Sequence, residues 1–147
     1  MNKMDKIKLF LVDDDALFLK LLEIELLAPP NNVSFDIHTY PTGELCLKDL
    51  SLNPDVIILD YHLNGVDKNA MNGLQTLDKI KEANPNTTVI MLSSQDKIQV
   101  AVNCMHHKAL DYVVKSETAV FHIKKIIAAD AAQKKTEIQL KWYMDRM

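Results

Sequence analysis

Five polar residues able to do chemistry each stand where a short apolar run of this 147-residue sequence ends. They are Asp13 and Asp14 after the first run, then Asp60, Ser93 and Lys115 after three later ones. In an open parallel α/β sheet, side chains just past the carboxyl ends of the strands line the crevice where ligands bind. The spacing therefore predicts one pocket that holds three carboxylates, a hydroxyl and an ammonium.

Such a pocket suits phosphoryl transfer. Crowded carboxylates stay ionised at neutral pH only if a cation neutralises them, and hard oxygen ligands with open positions favour magnesium. Asp60 is then the natural nucleophile, since a carboxylate can attack phosphorus to form an acyl phosphate. Lys115 would neutralise a phosphoryl oxygen, and Ser93 would donate a hydrogen bond to another.

Each residue also has a structural interpretation. Asp14 or Asp15 could cap the helix that follows the first strand, and Ser93 could cap a later one. Lys115 could be a solvated strand end. Asp60 is harder to explain in this way, because a chain that needed only a turn would avoid burying a charge after three apolar residues.

The elements that must position these residues alternate regularly. Short runs rich in Val, Ile and Leu predict strands covered on both faces, at residues 7–12, 33–40, 56–59, 88–92 and 112–114. Helical periodicity predicts a first helix that ends at Pro29 and Pro30, with an apolar stripe that includes Leu17, Phe18, Leu21 and Leu22. It predicts further helices at 44–52, 72–83, 96–107 and from 118 onwards. The pattern predicts a doubly wound α/β fold with five parallel strands and five helices.

Composition limits the function. The length fits one domain, and a net charge of -3 with scattered lysines disfavours nucleic-acid binding by this chain alone. No apolar run approaches the roughly 18 residues that span a bilayer, and no secretory signal is recognisable, so we expect a cytoplasmic protein without membrane contact. Cys46 and Cys104 are expected to be free thiols that fill the core.

Five segments together resemble the receiver domains of bacterial two-component response regulators. They are Leu-Val-Asp-Asp-Asp at 11–15, Pro-Asp-Val-Ile-Ile-Leu-Asp at 54–60, Asn-Gly-Leu at 72–74, Val-Ile-Met-Leu-Ser-Ser at 89–94 and Asp-Tyr-Val-Val-Lys at 111–115. The resemblance implies a flavodoxin-like sheet of strand order 2-1-3-4-5. It also implies a receiver domain over residues 1–129, which leaves 130–147 to extend the last helix or to begin a linker.

The resemblance implies roles at the acidic end of the pocket. Asp60 matches the phosphoacceptor, Asp14 the direct magnesium ligand, and Asp13 the acidic partner that reaches the metal through water. The backbone carbonyl of His62 would be a further ligand, and Asp15 falls outside the pair.

It also implies a switch. Ser93 matches the hydroxyl that moves towards the phosphoryl group, Lys115 the phosphate-neutralising lysine, and Tyr112 the aromatic residue that then rotates inward. The phosphoryl group would bias a surface built from the fourth helix, fifth strand and fifth helix. Partners would be a sensor histidine kinase or a histidine phosphotransfer protein, with a homodimer possible through that surface. The chain would be a regulator whose only chemistry is its own phosphorylation and dephosphorylation.

Three departures from the family pattern affect the site. The loop at 61–73 lacks the usual proline and is longer than in the family. Lys115 precedes Ser116 where a proline with a cis peptide is usual, and a cis bond before a non-proline residue costs about 2.5 to 4 kcal/mol. Either that bond is trans and Lys115 enters differently, or it is cis under strain, which we favour. Lys108 stands where the family usually has a small glycine before the fifth strand, so this departure concerns the end of the fourth helix.

His62 and Gln95 each lie two residues beyond a site residue. In receivers, side chains there flank the phosphoryl group and control the attacking water, so these two would set the rate of dephosphorylation. Alternatively, both are ordinary exposed loop residues.

Two other functions remain open. A phosphohydrolase of the haloacid-dehalogenase type also forms an aspartyl phosphate, but it needs a second aspartate two positions after the nucleophile, where this chain has His62. A receiver fold with an unused site would serve only as a constitutive binding module. Treatment with a small phosphodonor separates the three. A stoichiometric, magnesium-dependent adduct at Asp60 indicates the receiver, turnover indicates the hydrolase, and no adduct indicates the inert module.

Overall fold

A computed structural model describes residues 6–147 and shows a five-stranded parallel sheet. The strands are β1 (Lys6–Val12), β2 (Ser34–Tyr40), β3 (Val56–Asp60), β4 (Thr88–Ser93) and β5 (Asp111–Val114). Their spatial order is β2-β1-β3-β4-β5, as the resemblance implies. The first five residues of the predicted 1–129 domain lie outside the described part.

Helices cover both faces of the sheet. They are α1 (Ala16–Leu27), α2 (Gly43–Lys48), α3 (Gly73–Ala83), α4 (Ile98–His106) and α5 (Ala119–Asp145), with a 3₁₀ turn at Leu50–Leu52 after α2. One core cluster joins α1 and α5 to the sheet, and a second joins α2, α3 and α4 to the opposite face. Alternate residues of β1 enter the two clusters, which is why the strands read as continuous apolar runs.

Two helices differ from the sequence prediction. The segment expected to be helical over 44–52 breaks after Lys48 and continues as the 3₁₀ turn. In α1 the buried residues are Leu19, Leu22 and Leu26, whereas Leu17 and Leu21 are exposed. The predicted stripe was therefore wrong in part, because apolar residues surround much of this helix and its periodicity does not define one face.

Lys108 explains how α4 ends. Its φ of 76° lies in the left-handed region, its N–H donates to the Met105 carbonyl over 3.0 Å, and the Ala109 N–H donates to the Cys104 carbonyl over 3.1 Å. Glycine is the usual residue at such a helix end because a Cβ is strained there. The lysine keeps the backbone geometry that a glycine would have.

We expect Lys108→Gly to raise the free energy of unfolding by about 1 kcal/mol, because it removes left-handed strain at a small cost in unfolded-state entropy. Urea denaturation measures the change. The same substitution at Lys79, exposed within α3, is the control and should lower stability by about 1 kcal/mol. Equal effects of the two substitutions would contradict the assignment of strain.

Helix α5 continues well past residue 129 as one helix to Asp145. Asp130 accepts a hydrogen bond from the Thr88 hydroxyl over 2.8 Å, and Lys134 donates to the Asp55 carbonyl over 3.0 Å. These bonds hold the next turn of α5 on the sheet, while Leu140, Tyr143 and other apolar residues near its end are exposed. None of the described helices, α5 included, is long and apolar enough to cross a bilayer.

Candidate functional site

Three carboxylates meet at the carboxyl ends of β1 and β3. These strands are neighbours in register, with Val12 opposite Leu59, so the residues that follow emerge side by side. Asp13, Asp14 and Asp60 each offer an oxygen, and these atoms all lie within 4.8 Å of one another. Asp13 is 2% exposed and Asp60 4%, whereas Asp14 is half-buried. The predicted acidic cluster is present.

This crowding changes the acidity of Asp60. Burial first, and then the charge of Asp13, raise the pKa of Asp60 from 3.8 to about 7, against the opposing effects of Lys115 and of the His62 backbone N–H. A proton or a cation is therefore needed to offset the charge at neutral pH. The donor set consists of hard carboxylate oxygens, which fit magnesium and do not suit a soft metal.

Lys115 enters the same cluster from the end of β5. Its Nζ lies 2.9 Å from Asp13 Oδ2 and 3.5 Å from Asp60 Oδ1, so it is not a solvated strand end. Burial alone would lower the pKa of Lys115, but the hydrogen bond to Asp13 and the charge of Asp60 raise it overall. The ammonium also sits 4.3 Å from the ring centre of Phe18, a contact that the sequence analysis missed. An aromatic residue one helical turn after the aspartates was the available signal.

The Lys115–Ser116 peptide bond is trans. Within residues 6–147 the one cis bond joins Pro29 and Pro30, so the preference for a cis bond at Lys115 was wrong. The Lys115 N–H donates to the Ser93 carbonyl over 2.7 Å, which extends the β4–β5 pairing by one residue. This backbone bond aims the side chain at the aspartates without a cis peptide.

Ser93 and Tyr112 are linked through the backbone of Gln95. The Gln95 N–H donates to the Ser93 hydroxyl oxygen over 3.1 Å, and the Tyr112 hydroxyl donates to the Gln95 carbonyl over 2.6 Å. Ser93 is fully buried at the end of β4, and Tyr112 is half-buried on β5. Movement of the Ser93 hydroxyl would thus disturb the peptide that holds Tyr112.

A model of the response regulator receiver domain matches residues 9–128. The chain belongs to this family. Among curated relatives, the protein-glutamate methylesterase/protein-glutamine glutaminase of Clostridium acetobutylicum is 32% identical over 117 residues, which cover 78% of this receiver and 32% of the relative. The regulatory protein LuxO of Vibrio cholerae is 29% identical over 84 residues, 56% of this receiver and 17% of LuxO. The receiver thus spans a third or less of these relatives.

Solved receivers share the fold. The signal receiver domain of a LuxO repressor protein from Vibrio parahaemolyticus has a TM-score of 0.76 at 24% identity, covering 92% of this receiver and 97% of that chain. A CheX–CheY–BeF3–Mg complex from Borrelia burgdorferi has a TM-score of 0.69 at 24% identity, covering 84% and 88%. These likenesses support the observed strand order.

The structure shows which of Asp14, Asp15 and Ser93 cap a helix. In this receiver Asp15 caps α1, since its carboxylate accepts from the Phe18 N–H over 3.1 Å. Asp14 does not cap that helix, and Ser93 does not cap α4, which begins at Ile98 with no side-chain cap bond. Neither Asp14 nor Ser93 is therefore needed as a helix cap, and both can serve the site.

The long loop after β3 reaches back to the acidic cluster. The Gly65 and Val66 N–H groups both donate to Asp14 Oδ2, over 3.1 and 3.2 Å. Loop length signalled a departure from the family pattern, but nothing in the sequence indicated which residue the loop would contact.

The start of α3 touches the backbone of the third strand. Gly73 N–H donates to the Tyr61 carbonyl over 3.0 Å. A Cβ on Gly73 would lie 2.3 Å from the Asp60 carbonyl oxygen and 2.7 Å from Tyr61 Cα. Asn72 and Gln75 complete a capping box at this helix start. Only glycine fits where α3 begins directly against the receiver's third-strand aspartate.

His62 and Gln95 differ in their surroundings. The His62 side chain is exposed, while its backbone N–H lowers the pKa of Asp60. Gln95 is half-buried, and its backbone bonds to Ser93 and Tyr112. Their control of dephosphorylation stays a prediction.

Proposed function

We propose that this receiver is a phosphorylation-dependent signalling switch that accepts a phosphoryl group on Asp60 in a magnesium-dependent reaction. The observation that carries the proposal is the meeting of three carboxylates within 4.8 Å, with the Lys115 ammonium 3.5 Å from Asp60. One ammonium cannot neutralise three carboxylates. The remaining negative charge is costly for a purely structural cluster, whereas a magnesium-dependent phosphoacceptor site uses it to hold the cation.

The residues suited to hold magnesium are Asp14 and Asp60, with Asp13 acting through water and the His62 carbonyl as a further ligand. When bound, the cation would supply charge neutralisation for the phosphoryl oxygens and lower the repulsion among the carboxylates. It would also favour the ionised form of Asp60, whose pKa burial and Asp13 raise to about 7.

The step itself falls to the side chains of this chain. An Asp60 carboxylate oxygen attacks phosphorus, the new O–P bond forms, and the P–N bond of a phosphohistidine donor breaks with its electron pair left on the imidazole. Lys115, already between Asp13 and Asp60, is placed to neutralise a phosphoryl oxygen. A donor phosphohistidine makes the partner a sensor histidine kinase or a histidine phosphotransfer protein.

Phosphorylation would change the surface formed by α4, β5 and α5, to which partners would bind. Ser93 would turn its hydroxyl to the phosphoryl group, release the Gln95 N–H, and so loosen the peptide that holds Tyr112. Ile98, Val102 and Met105 stand exposed on α4 and offer partners an apolar surface. A homodimer through this face also stays a prediction, as do the cytoplasmic location and the absence of nucleic-acid binding.

The activities in the relatives' names are those of the relatives as whole proteins. The receiver corresponds to 32% of the methylesterase and 17% of LuxO, so most of each relative lies outside the similarity. We propose that this chain itself is a regulator and does not turn over a substrate.

Labelling with acetyl phosphate tests the proposal. We expect an adduct of one phosphoryl group per chain in intact-mass spectra, dependent on magnesium, abolished by a chelator, and mapped to Asp60 after borohydride trapping. The carboxylate must be ionised and its neighbours neutralised before it can attack.

Two other outcomes would contradict this proposal. Sustained release of inorganic phosphate, many turnovers per chain without a stable adduct, would favour the phosphohydrolase. Neither adduct nor turnover at saturating magnesium would favour the inert binding module.

A further inference from the structure

The loop between β3 and α3 is built to meet Asp14. Its exposed tip, residues 64–69, lies between two buried anchors: Leu63, 1% exposed, and Ala70, 9% exposed. Beyond the second anchor, the Met71 N–H donates to Glu44 Oε2 over 3.1 Å. Because both ends are fixed, the tip has little freedom to place its backbone elsewhere.

The tip contributes two donors to one oxygen. Gly65 and Val66 present successive N–H groups to Asp14 Oδ2. Successive backbone N–H groups that converge in this way bind anionic groups well. The Val66 side chain is 81% exposed and contributes nothing to the contact, so the backbone carries it.

Gly65 has a specific reason to be glycine. Its φ is not positive, so backbone conformation does not require glycine here. A Cβ would lie 3.1 Å from Asp14 Oδ2, closer than side-chain carbons normally approach. Close approach of the tip to this carboxylate thus accounts for the residue type.

We propose that the Gly65–Val66 backbone is a positioning element for the magnesium site, which fixes the Asp14 carboxylate through Oδ2 and leaves its second oxygen for the cation. Asp13 and Asp60 repel Asp14, and a half-buried aspartate without these donors would rotate towards solvent. Hydrogen bonds to a ligating carboxylate keep it oriented, and their loss commonly costs ten- to a hundredfold in metal affinity. This inference rests on the proposed function in one respect, namely that the acidic cluster binds magnesium.

A matched pair of variants tests it. Val66→Pro removes one of the two donors, and Val66→Ala trims the same exposed side chain but keeps the N–H. Calorimetric titration with magnesium chloride should give a dissociation constant about tenfold higher for Val66→Pro than for Val66→Ala, which should match the unmodified protein. Equal constants, or tighter binding by Val66→Pro, would overturn the proposal.

A second measurement needs no substitution. Binding at one site must stabilise the contacts that favour it, because coupling is reciprocal. Addition of magnesium should therefore slow hydrogen exchange of the Gly65 and Val66 amides, and have little effect on that of Asn69, whose N–H donates to Asp67 within the tip. Exchange at Gly65 and Val66 that is unchanged by magnesium would contradict the positioning role.

Failure of this inference is distinguishable from failure of the proposed function. If the unmodified protein takes up phosphoryl groups on Asp60 but the two Val66 variants bind magnesium equally, only the positioning role is lost. If the unmodified protein forms no adduct while Val66→Pro still weakens magnesium binding, the loop acts on a cation site with another use.

Discussion

Asp60→Asn is expected to abolish phosphoryl uptake and, without magnesium, to stabilise the fold by about 2 kcal/mol at pH near 8. The amide is no nucleophile, so the acetyl phosphate adduct should disappear from intact-mass spectra. The amide also removes one of three crowded charges, at a residue that is itself only 4% exposed. Urea denaturation in the presence of a chelator measures the stability.

The increase in stability caused by Asp60→Asn should depend on pH. Burial and Asp13 raise the pKa of Asp60 from 3.8 in the unfolded chain to about 7 in the folded one. Between these values the folded state binds more protons, so the stability of the unmodified protein falls as pH rises through this range. The advantage of Asp60→Asn should accordingly be small near pH 4 and complete above pH 7. Saturating magnesium should reduce or reverse it, because the cation binds the folded unmodified protein more tightly.

Asp145→Asn provides the control, since it makes the same change in an exposed residue at the end of α5. Its stability should stay within about 0.5 kcal/mol of the unmodified protein at every pH. A chelator-treated Asp60→Asn protein that is less stable than the unmodified one at pH near 8 would show that the carboxylates do not repel as the geometry implies.

Gly73→Ala is expected to lower the free energy of unfolding by about 3 kcal/mol. The new Cβ would meet the Asp60 carbonyl oxygen at 2.3 Å, and backbone atoms cannot move aside as a side chain can. Either α3 shifts away from β3, or the strand end that carries Asp60 moves. Equilibrium denaturation gives the stability, and the rate of labelling by acetyl phosphate should fall as well.

Gly65→Ala is the matched comparison, because both substitutions restrict the unfolded chain equally. Its Cβ would meet only the Asp14 side chain, at 3.1 Å. Its stability should change by less than about 1 kcal/mol. Equal stability losses for the two variants would mean that the contact of α3 with the third strand leaves more room for a Cβ than these distances indicate.

The sheet and most of the site could be predicted because their signals are local. An apolar run that stops at Asp60 already indicates a buried strand and its polar end, and parallel pairing then brings the strand ends together. This reasoning correctly grouped Asp13, Asp60 and Lys115 without knowledge of any contact distance.

The remainder depended on contacts between distant segments. Nothing near Gly65 in the sequence indicates that its N–H meets Asp14, 51 residues away. The trans bond after Lys115 was missed because the cis peptide that is usual before a proline in the family was also expected before Ser116. The buried face of α1 was misjudged because Leu17 and Leu21 look as apolar as Leu19 and Leu22, and only packing against the sheet separates them.

The two cysteines have a practical consequence. Cys46 on α2 and Cys104 on α4 are free, and both are fully buried in the same core cluster. Burial raises the pKa of the Cys46 thiol to about 12 and also raises that of Cys104, so at neutral pH neither provides much of the thiolate that reacts with maleimides. A cysteine placed on the solvent side of the molecule would take up a fluorophore or spin label selectively, with both natural thiols left in place.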